Sequence, residues 1–325
     1  MSTTAIARHP LGVNRAKTNT VAPHLVPYQG SKRRLAADIL SVCRQRHFTT
    51  LWEPFAGSAA FTIAAARAEL ADRYVLNDTL GSLMALWELC LTDPAALADR
   101  YASLWNAQDP DPRAHYDAVR DAYNADPDPV ALLYLLARCV KNAPRFAANG
   151  RFNQSADHRR RGRKPAQVRS AATAISALLS GRASVRCDDF ADVCSAAQPG
   201  DLVYLDPPWQ GTTTGRDKRY HAGLQRQRLL AVLQDMNSRG VAWVLSYDGR
   251  LGAKSYGQVL PRQVYGAHLE IDAGRSSQAT LSGRALTTFE SLYISEPLQE
   301  PALAAVTENP RLQLAARPES DRADH

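Results

Sequence analysis

The chain has 325 residues, 45% of them hydrophobic, enough for one large domain or a domain with an insert around a sizeable core. No apolar run approaches the roughly 18 residues of a membrane span, and the polar stretch Met1–Ala22, with Arg8, Arg15 and Lys17, lacks the apolar segment of a secretory signal. A net charge of +7 points to nucleic acid or another anionic surface, and five scattered cysteines without a C-x-x-C pair argue for reduced cytosolic thiols, against disulfides or zinc.

Residues 1–23 read as a disordered N-terminus. Pro27-Tyr28-Gln29-Gly30-Ser31-Lys32 forms a turn into an amphipathic helix over about 33–46, with Leu35, Ile39, Leu40 and Cys43 on its apolar face. Such a turn exposes N–H groups and an ammonium, a seat for an anion; taken alone it is a plain helix N-terminus. Thr49–Glu53 reads as a strand, Pro54-Phe55-Ala56-Gly57-Ser58-Ala59 as a small-residue loop, and Ala60–Leu70 as a helix. Strand, glycine loop and helix make the nucleotide-binding half-unit of a doubly wound fold. The lone glycine excludes the dinucleotide fingerprint. A second strand ends at Asn77-Asp78, with Asp78 placed 21 residues after Gly57, where an acid accepts a ribose hydroxyl.

Helices are expected over 80–91 and through much of 94–140, broken near Asp109–Pro112 and Asp126–Pro129. They interrupt the alternation of strand and helix, so about 93–180 reads as an insert, with an Asp-rich, solvated first part. Between Lys141 and Arg169 stand nine cations, among them Arg145, Arg151, Arg159, Arg160, Arg161, Arg163 and Lys164, against the single acid Asp157. This loop accounts for the whole positive surplus. With Phe146 and Phe152 interleaved it reads as a phosphate-contacting surface. A helix over 165–180 and a third strand, Ala183–Cys187, lead to Asp188-Asp189-Phe190, which can cover an adenine ring or cap the next helix.

The fourth strand, Asp201–Leu205, is a short apolar run suited to a sheet covered on both faces. It runs into Asp206-Pro207-Pro208-Trp209. Proline cannot donate to a ladder, so the strand stops there and delivers Asp206 at its carboxyl end. An acceptor, a rigid carbonyl-bearing turn and a flat ring within four residues suit a planar base carrying an amino group; the plain alternative is a turn capped by Asp206. A second basic patch, Arg216, Lys218 and Arg219, follows a polar loop. Further on come a helix over 224–238, a buried strand over 241–247, one or two strands over 258–271, a polar loop with Arg275, and a strand over 287–294. From Ser295 the Pro, Ala, Glu and Arg composition reads as a disordered tail over 296–325.

In this order the motifs resemble the Dam-type (D12 class) DNA adenine-N6 methyltransferases, over about Pro27 to Ser295. Pro27–Lys32 is similar to that family's N-terminal cofactor motif and Glu53-Pro54-Phe55-Ala56-Gly57-Ser58 to its glycine loop. Asn77-Asp78 is similar to its ribose acid, Asp189-Phe190 to its cofactor-adenine contacts, and Asp206-Pro207-Pro208-Trp209 to its catalytic motif. Asn142–Asn153, ending Gly150-Arg151-Phe152-Asn153, resembles its loop near the target base. The resemblance implies a Rossmann-like α/β sheet with a helical and basic target-recognition insert: a catalytic domain of 24–92 and 181–295, with 93–180 inserted. It implies S-adenosyl-L-methionine held by Tyr28, Lys32, Glu53, Phe55, Gly57, Asp78, Asp189, Phe190 and Asp206, with no metal. Double-stranded DNA is the implied partner of a cytoplasmic, nucleoid-associated monomer, with a cognate restriction endonuclease as a second candidate. Asn142, Asn153, Phe152 and the cations named above, Arg275 included, make the expected DNA surface. The family's usual last letter is Tyr; Trp209 is more typical of RNA adenine-N6 methyltransferases. RNA as substrate therefore stands as a rival reading, and a catalytically silent DNA-binding module that kept the fold as another.

Overall fold

The computed structural model describes residues 22–28, 30–208, 225–252, 254–275 and 287–316. The strands β1 (Phe48–Glu53), β2 (Ala71–Asn77), β3 (Ala183–Arg186), β4 (Leu202–Leu205), β5 (Ala242–Leu251), β6 (Lys254–Tyr256), β7 (Ala267–Arg275), β8 (Thr287–Ile294) and β9 (Leu312–Leu314) form one sheet. Its order is β3-β2-β1-β4-β5-β8-β7-β9, with β6 beside β5. Within β3-β2-β1-β4-β5 every pairing is parallel. The pairs β5–β8, β8–β7 and β7–β9 are antiparallel. Strand order reverses between β1 and β4, the place where open α/β sheets bind ligands.

The period of two in β4 and β5 fills two cores. Leu202, Tyr204, Ala242 and Val244 join the larger apolar cluster on one face, and Val203, Leu205, Trp243 and Leu245 the smaller one on the other. Both faces are covered, which is why these strands read as continuous apolar runs. The smaller cluster includes residues of α8 (Phe190–Ala196) and α9 (Arg226–Ser238). The larger includes residues of α1 (Ala36–Ser41), α2 (Ala60–Arg67), α3 (Gly81–Thr92) and the inserted helices.

Those inserted helices are α4 (Pro94–Asn106), α5 (Pro112–Ala125), α6 (Pro129–Arg138) and α7 (Pro165–Leu179). The first three share one start signal. Asp93, Asp111 and Asp128 each accept backbone N–H bonds as N-caps, and proline follows at the first helical position. Proline has no N–H to orphan there and its φ is already helical. Asp93 and Asp111 are exposed caps, as a solvated stretch requires, but the other face of these helices is not solvated: Leu97, Tyr101, Tyr116, Val119 and Tyr123 are buried in the main core. Tyr116 donates to the Gln154 carbonyl at 2.9 Å and Tyr101 to that of Arg163 at 2.9 Å, tying the basic loop to the insert.

The expected tail is also corrected over its described part, 296–316; residues 317–325 lie outside the described residues. Residues 299–308 form α10 (Gln299–Glu308), and β9 pairs with β7. Asn309 donates to Asp38 at 3.0 Å and Arg311 pairs with the same carboxylate at 2.9 Å, holding this segment on α1. Its buried helical face, Ala302 and Ala305, is too small to give a strong apolar period. The expectation for residues 1–21 lies outside the described residues.

Candidate active site

The loops after β1 to β4 and the Tyr28–Lys32 turn meet at the carboxyl edge of the parallel strands. After β1 the chain turns sharply, with Gly57 at φ +47° and Ala59 at φ +49°. Ala59 bears a left-handed conformation that few non-glycine residues adopt. Three contacts fix this loop. Trp87 Nε1 donates to the Gly57 carbonyl at 3.0 Å, the Ala56 N–H donates to the Asn77 carbonyl at 2.7 Å, and Ser58 Oγ donates to Ser31 Oγ at 2.7 Å. Asn77 is fully buried: its Nδ2 donates to the carbonyls of Pro54 and Asp188, both at 3.0 Å, and its Oδ1 accepts from the Asp188 N–H at 2.8 Å. One amide thus joins the loops after β1, β2 and β3.

Asp78 follows, with Oδ2 accepting from the Gly57 N–H at 3.2 Å and Oδ1 from the Leu80 N–H at 3.1 Å. Burial pushes its carboxyl above the usual range, opposed by those backbone donors. A carboxylate offers about four lone-pair sites, so Asp78 retains acceptors for hydroxyl groups.

Glu53 ends β1, buried, with Oε2 accepting both the backbone N–H of Thr62, at 3.0 Å, and its hydroxyl. Burial pushes its carboxyl up to about 8, and the carboxylates of Asp206 and Asp78 add to that. A buried acid with a raised folded value stabilises the fold most fully when it stays protonated, below the ordinary carboxylate range. That contribution is lost as pH rises through about 8. Glu53→Gln retains an acceptor for Thr62 and cannot ionise. Its urea midpoint should therefore fall less between pH 5 and about 8.5 than that of the parent; equal slopes would show that Glu53 is not the titrating group.

Asp206 lies at the end of β4. Its Oδ1 accepts from Lys32 Nζ at 2.7 Å, and the same ammonium meets Glu290 Oε2 at 3.2 Å. Burial pushes the Asp206 carboxyl up to about 6; Lys32 opposes this and Glu290 adds to it. For Lys32, burial acts downward, but Asp206 and Glu290 outweigh it and the ammonium is held above its usual range. The site therefore holds a firmly charged lysine between two acids.

After β3, Asp189 caps α8 through Ala191 and forms a two-pronged pair with Arg228 of α9, at 2.5 and 2.9 Å. Of the two sequence alternatives at this position, the helix cap is thus present. The Phe190 ring stacks on Phe55 at 5.3 Å, and the Arg228 guanidinium lies 5.1 Å from the Phe190 centroid. Among the described residues no group of three or more His, Cys, Asp or Glu side chains is placed to hold a metal ion. No helix among them is long and apolar enough to cross a membrane.

The basic loop needs correction at two positions, Phe152 and Arg163. Phe152 is 1% exposed and packs edge-on against Phe146 at 5.5 Å and Tyr123 at 6.1 Å, so its ring belongs to the core and not to the expected DNA surface. Arg163 donates to the carbonyls of His24 and Leu25, bolting the N-terminal segment to the insert. Arg161 pairs with Asp109 at 2.6 Å and lies 5.6 Å from the Trp105 centroid. Arg160 donates to Asn142 Oδ1 at 3.0 Å. Arg145, Arg151, Asn153, Arg159, Arg160, Arg161 and Lys164 are exposed. Trp209, Arg216, Lys218 and Arg219 lie outside the described residues, as does the Arg275 side chain.

A family model for D12 class N6 adenine-specific DNA methyltransferases matches residues 28–272. The chain belongs to this class. The D12 span begins at Tyr28 and takes in the glycine loop, Asp78, the basic loop, Asp189 and Asp206, and ends inside β7. The chain is 28% identical to the DNA N-6-adenine-methyltransferase of Escherichia phage P1 over 216 residues, 61% of this chain and 26% of that protein. It is 30% identical to the type II methyltransferase M.FokI of Planomicrobium okeanokoites over 138 residues, 40% of this chain and 21% of that protein. It thus spans about a quarter or less of these two relatives. With the retron Ec67 DNA adenine methylase of Escherichia coli the identity is 27% over 210 residues, 60% of this chain and 67% of the methylase.

Sequence reasoning missed Glu290, Arg228 and Trp87. Each comes from an element whose pattern reports only burial: Glu290 sits in an ordinary strand, Arg228 and Trp87 in ordinary helices. No local spacing marks them.

Proposed function

We propose that the chain methylates the exocyclic N6 of a flipped-out adenine in duplex DNA, using S-adenosylmethionine, in the cytoplasm. The observation that carries this reading is the Asp206 carboxylate, tied through one oxygen to Lys32 and set beside the Gly57 loop at the reversal of strand order. When bound, S-adenosylmethionine supplies an electrophilic methyl group on a sulfonium. The residues present fit it. A Cβ on Gly57 would meet nothing within 4 Å, so the space beside that loop is open. Asp78 retains lone pairs for ribose hydroxyls, Phe55 and Phe190 form an apolar wall, and Asp189 offers carboxylate lone pairs to an amino group.

The amine of adenine is a poor nucleophile because its lone pair is delocalised into the ring. Asp206 Oδ2 and the Pro207 carbonyl accept its two N–H bonds, draw the nitrogen toward tetrahedral geometry and aim the lone pair. Asp206 acts by orientation and by stabilising developing positive charge. Pushed up to about 6, its carboxyl can also hold the proton that the nitrogen loses. Extruding the base costs a few kcal/mol; stacking on an aromatic ring, the role expected of Trp209, returns roughly 1–3 kcal/mol. Exposed Arg151, Arg159 and Lys164 contact phosphates. The type II name of M.FokI supports a cognate restriction endonuclease as a second partner.

Labelled methyl transfer to duplex DNA and to RNA of the same sequence tests this reading. N6-methyladenine is expected in DNA and not in RNA. Label in RNA alone would reverse the substrate assignment. Absence of cofactor binding by calorimetry would leave a silent DNA-binding module.

A further inference from the structure

Glu290 reaches the active site from β8, beyond the residues that the family model matches. Its arrival there depends on a defect in the sheet. Along β5, Ser246 pairs with Leu292 and Gly249 with Glu290, so three steps on one strand face two on the other. This is a β-bulge, the irregularity that re-aims side chains beside functional sites. Two features make the bulge obligatory. Asp248, inside it, stands at φ +57°. A Cβ on Gly249 would lie 2.2 Å from the Phe289 carbonyl oxygen, so only glycine allows β5 and β8 to approach this closely.

The consequence is a short chain of polar contacts. Ser246 Oγ donates to Glu290 Oε2 at 3.3 Å, the same oxygen lies 3.2 Å from Lys32 Nζ, and Nζ lies 2.7 Å from Asp206 Oδ1. The Lys32 side chain is only 7% exposed, and those of Glu290 and Asp206 are 15% and 19% exposed. An ammonium so enclosed is fixed by its partners. Held by Asp206 alone, it could swing across both carboxylate oxygens. Held by Glu290 as well, it stays on Oδ1.

We propose that Glu290 is a positioning residue of the methyl-transfer site: it anchors the Lys32 ammonium on Asp206 Oδ1 and so reserves Oδ2 for the amine of the target base. The catalytic half of this inference rests on the function proposed above; the geometric half does not. The charged and titratable groups facing Asp206 are Lys32 from the N-terminal turn, Glu290 from β8, Glu53 from β1 and Tyr204 from β4. Glu290 adds negative charge beside Asp206 and holds its carboxyl up.

Glu290→Gln keeps the size of the side chain and removes the charge. Three readouts separate positioning from a structural role. Cofactor affinity by calorimetry should stay near that of the parent. Single-turnover methylation of duplex DNA should fall about 100-fold, the scale of a small misplacement of reacting groups. Its acid limb should move to lower pH, because one of the charges that raise Asp206 is gone. Glu290→Asp, with the carboxylate withdrawn by one methylene, should fall between the two and serves if the glutamine variant does not fold. The geometric half is read without turnover, by the ¹⁵N signal of the Lys32 ammonium. A slowly exchanging signal in the parent should be lost or shifted in Glu290→Gln. An unchanged rate and acid limb, or an unchanged ammonium signal, would overturn the proposal. A parent that methylates neither DNA nor RNA but shows the expected ammonium change would overturn the function and leave the anchoring of Lys32 in place.

Discussion

Asp206→Ala is expected to lower methyl transfer to DNA by about 100- to 1000-fold, the scale at which single preorganised polar groups act on a transition state. Cofactor binding should survive, because Asp78, the Gly57 loop and the Phe55–Phe190 wall are built from β1, β2 and α8 and do not depend on the Asp206 side chain. The loss has two parts. The target amine loses an acceptor, and Lys32 loses the closer of its two acids, at 2.7 Å against 3.2 Å for Glu290. Asp206→Asn separates them: it retains an oxygen and loses the charge. Labelled-methyl incorporation with calorimetry on the same preparation checks this. Turnover near that of the parent in Asp206→Ala would remove Asp206 from the mechanism.

The largest effect on stability is expected from a residue with no part in the chemistry. Asp201 opens β4 and is 6% exposed. Its Oδ1 accepts the Thr50 N–H at 3.0 Å, and its Oδ2 accepts Trp52 Nε1 and the Gln198 N–H, each at 3.0 Å. The ladder between β1 and β4 is brief, pairing Leu51 with Leu202 and Trp52 with Val203. The carboxylate extends it, standing in for backbone acceptors. Asp201→Ala would strand three donors, two of them on β1. Hydrogen bonds to charged groups contribute about 1.5–3 kcal/mol each, and losses within one network are not additive. A destabilisation of about 3–5 kcal/mol is therefore expected, read as a lower urea midpoint at unchanged slope. This seam carries the Gly57 loop on one side and Asp206 on the other, so activity should fall before global unfolding. An unfolding free energy within about 0.5 kcal/mol of the parent would show that the short ladder suffices without Asp201.

The parallel half of the sheet was legible because its signals are local. Apolar runs of four to six residues mark strands covered on both faces, Pro207 stops β4, and Gly57 with Asp78 marks the first turn and the second strand end. The insert was legible as helices, but the face it buries was not. Asp93, Asp111 and Asp128 read in composition only as a polar, solvated stretch, and in space they also cap three helices whose other face is buried. Phe152 shows the same limit: a ring in the basic loop reads as part of a DNA surface, and packing against Tyr123 and Phe146 makes it core. The segment after Ser295 failed the other way, because Ala302 and Ala305 bury a helix without a strong period.

The sequence by itself marked the candidate groups that lie in turns and at strand ends. Lys32, Gly57, Asp78, Asp189 and Asp206 lie in turns and strand ends whose chemistry depends on neighbours one to four positions away, and linear order carries that information. Only the tertiary structure decided what Asp206 faces. Its ammonium partner stands 174 positions earlier, and the acid that shares that ammonium comes from an antiparallel strand shifted by a bulge. Contacts across such separations are set by sheet register and by the close approach that Gly249 allows. A strand's period of two records which face a residue takes and not which residue it meets there.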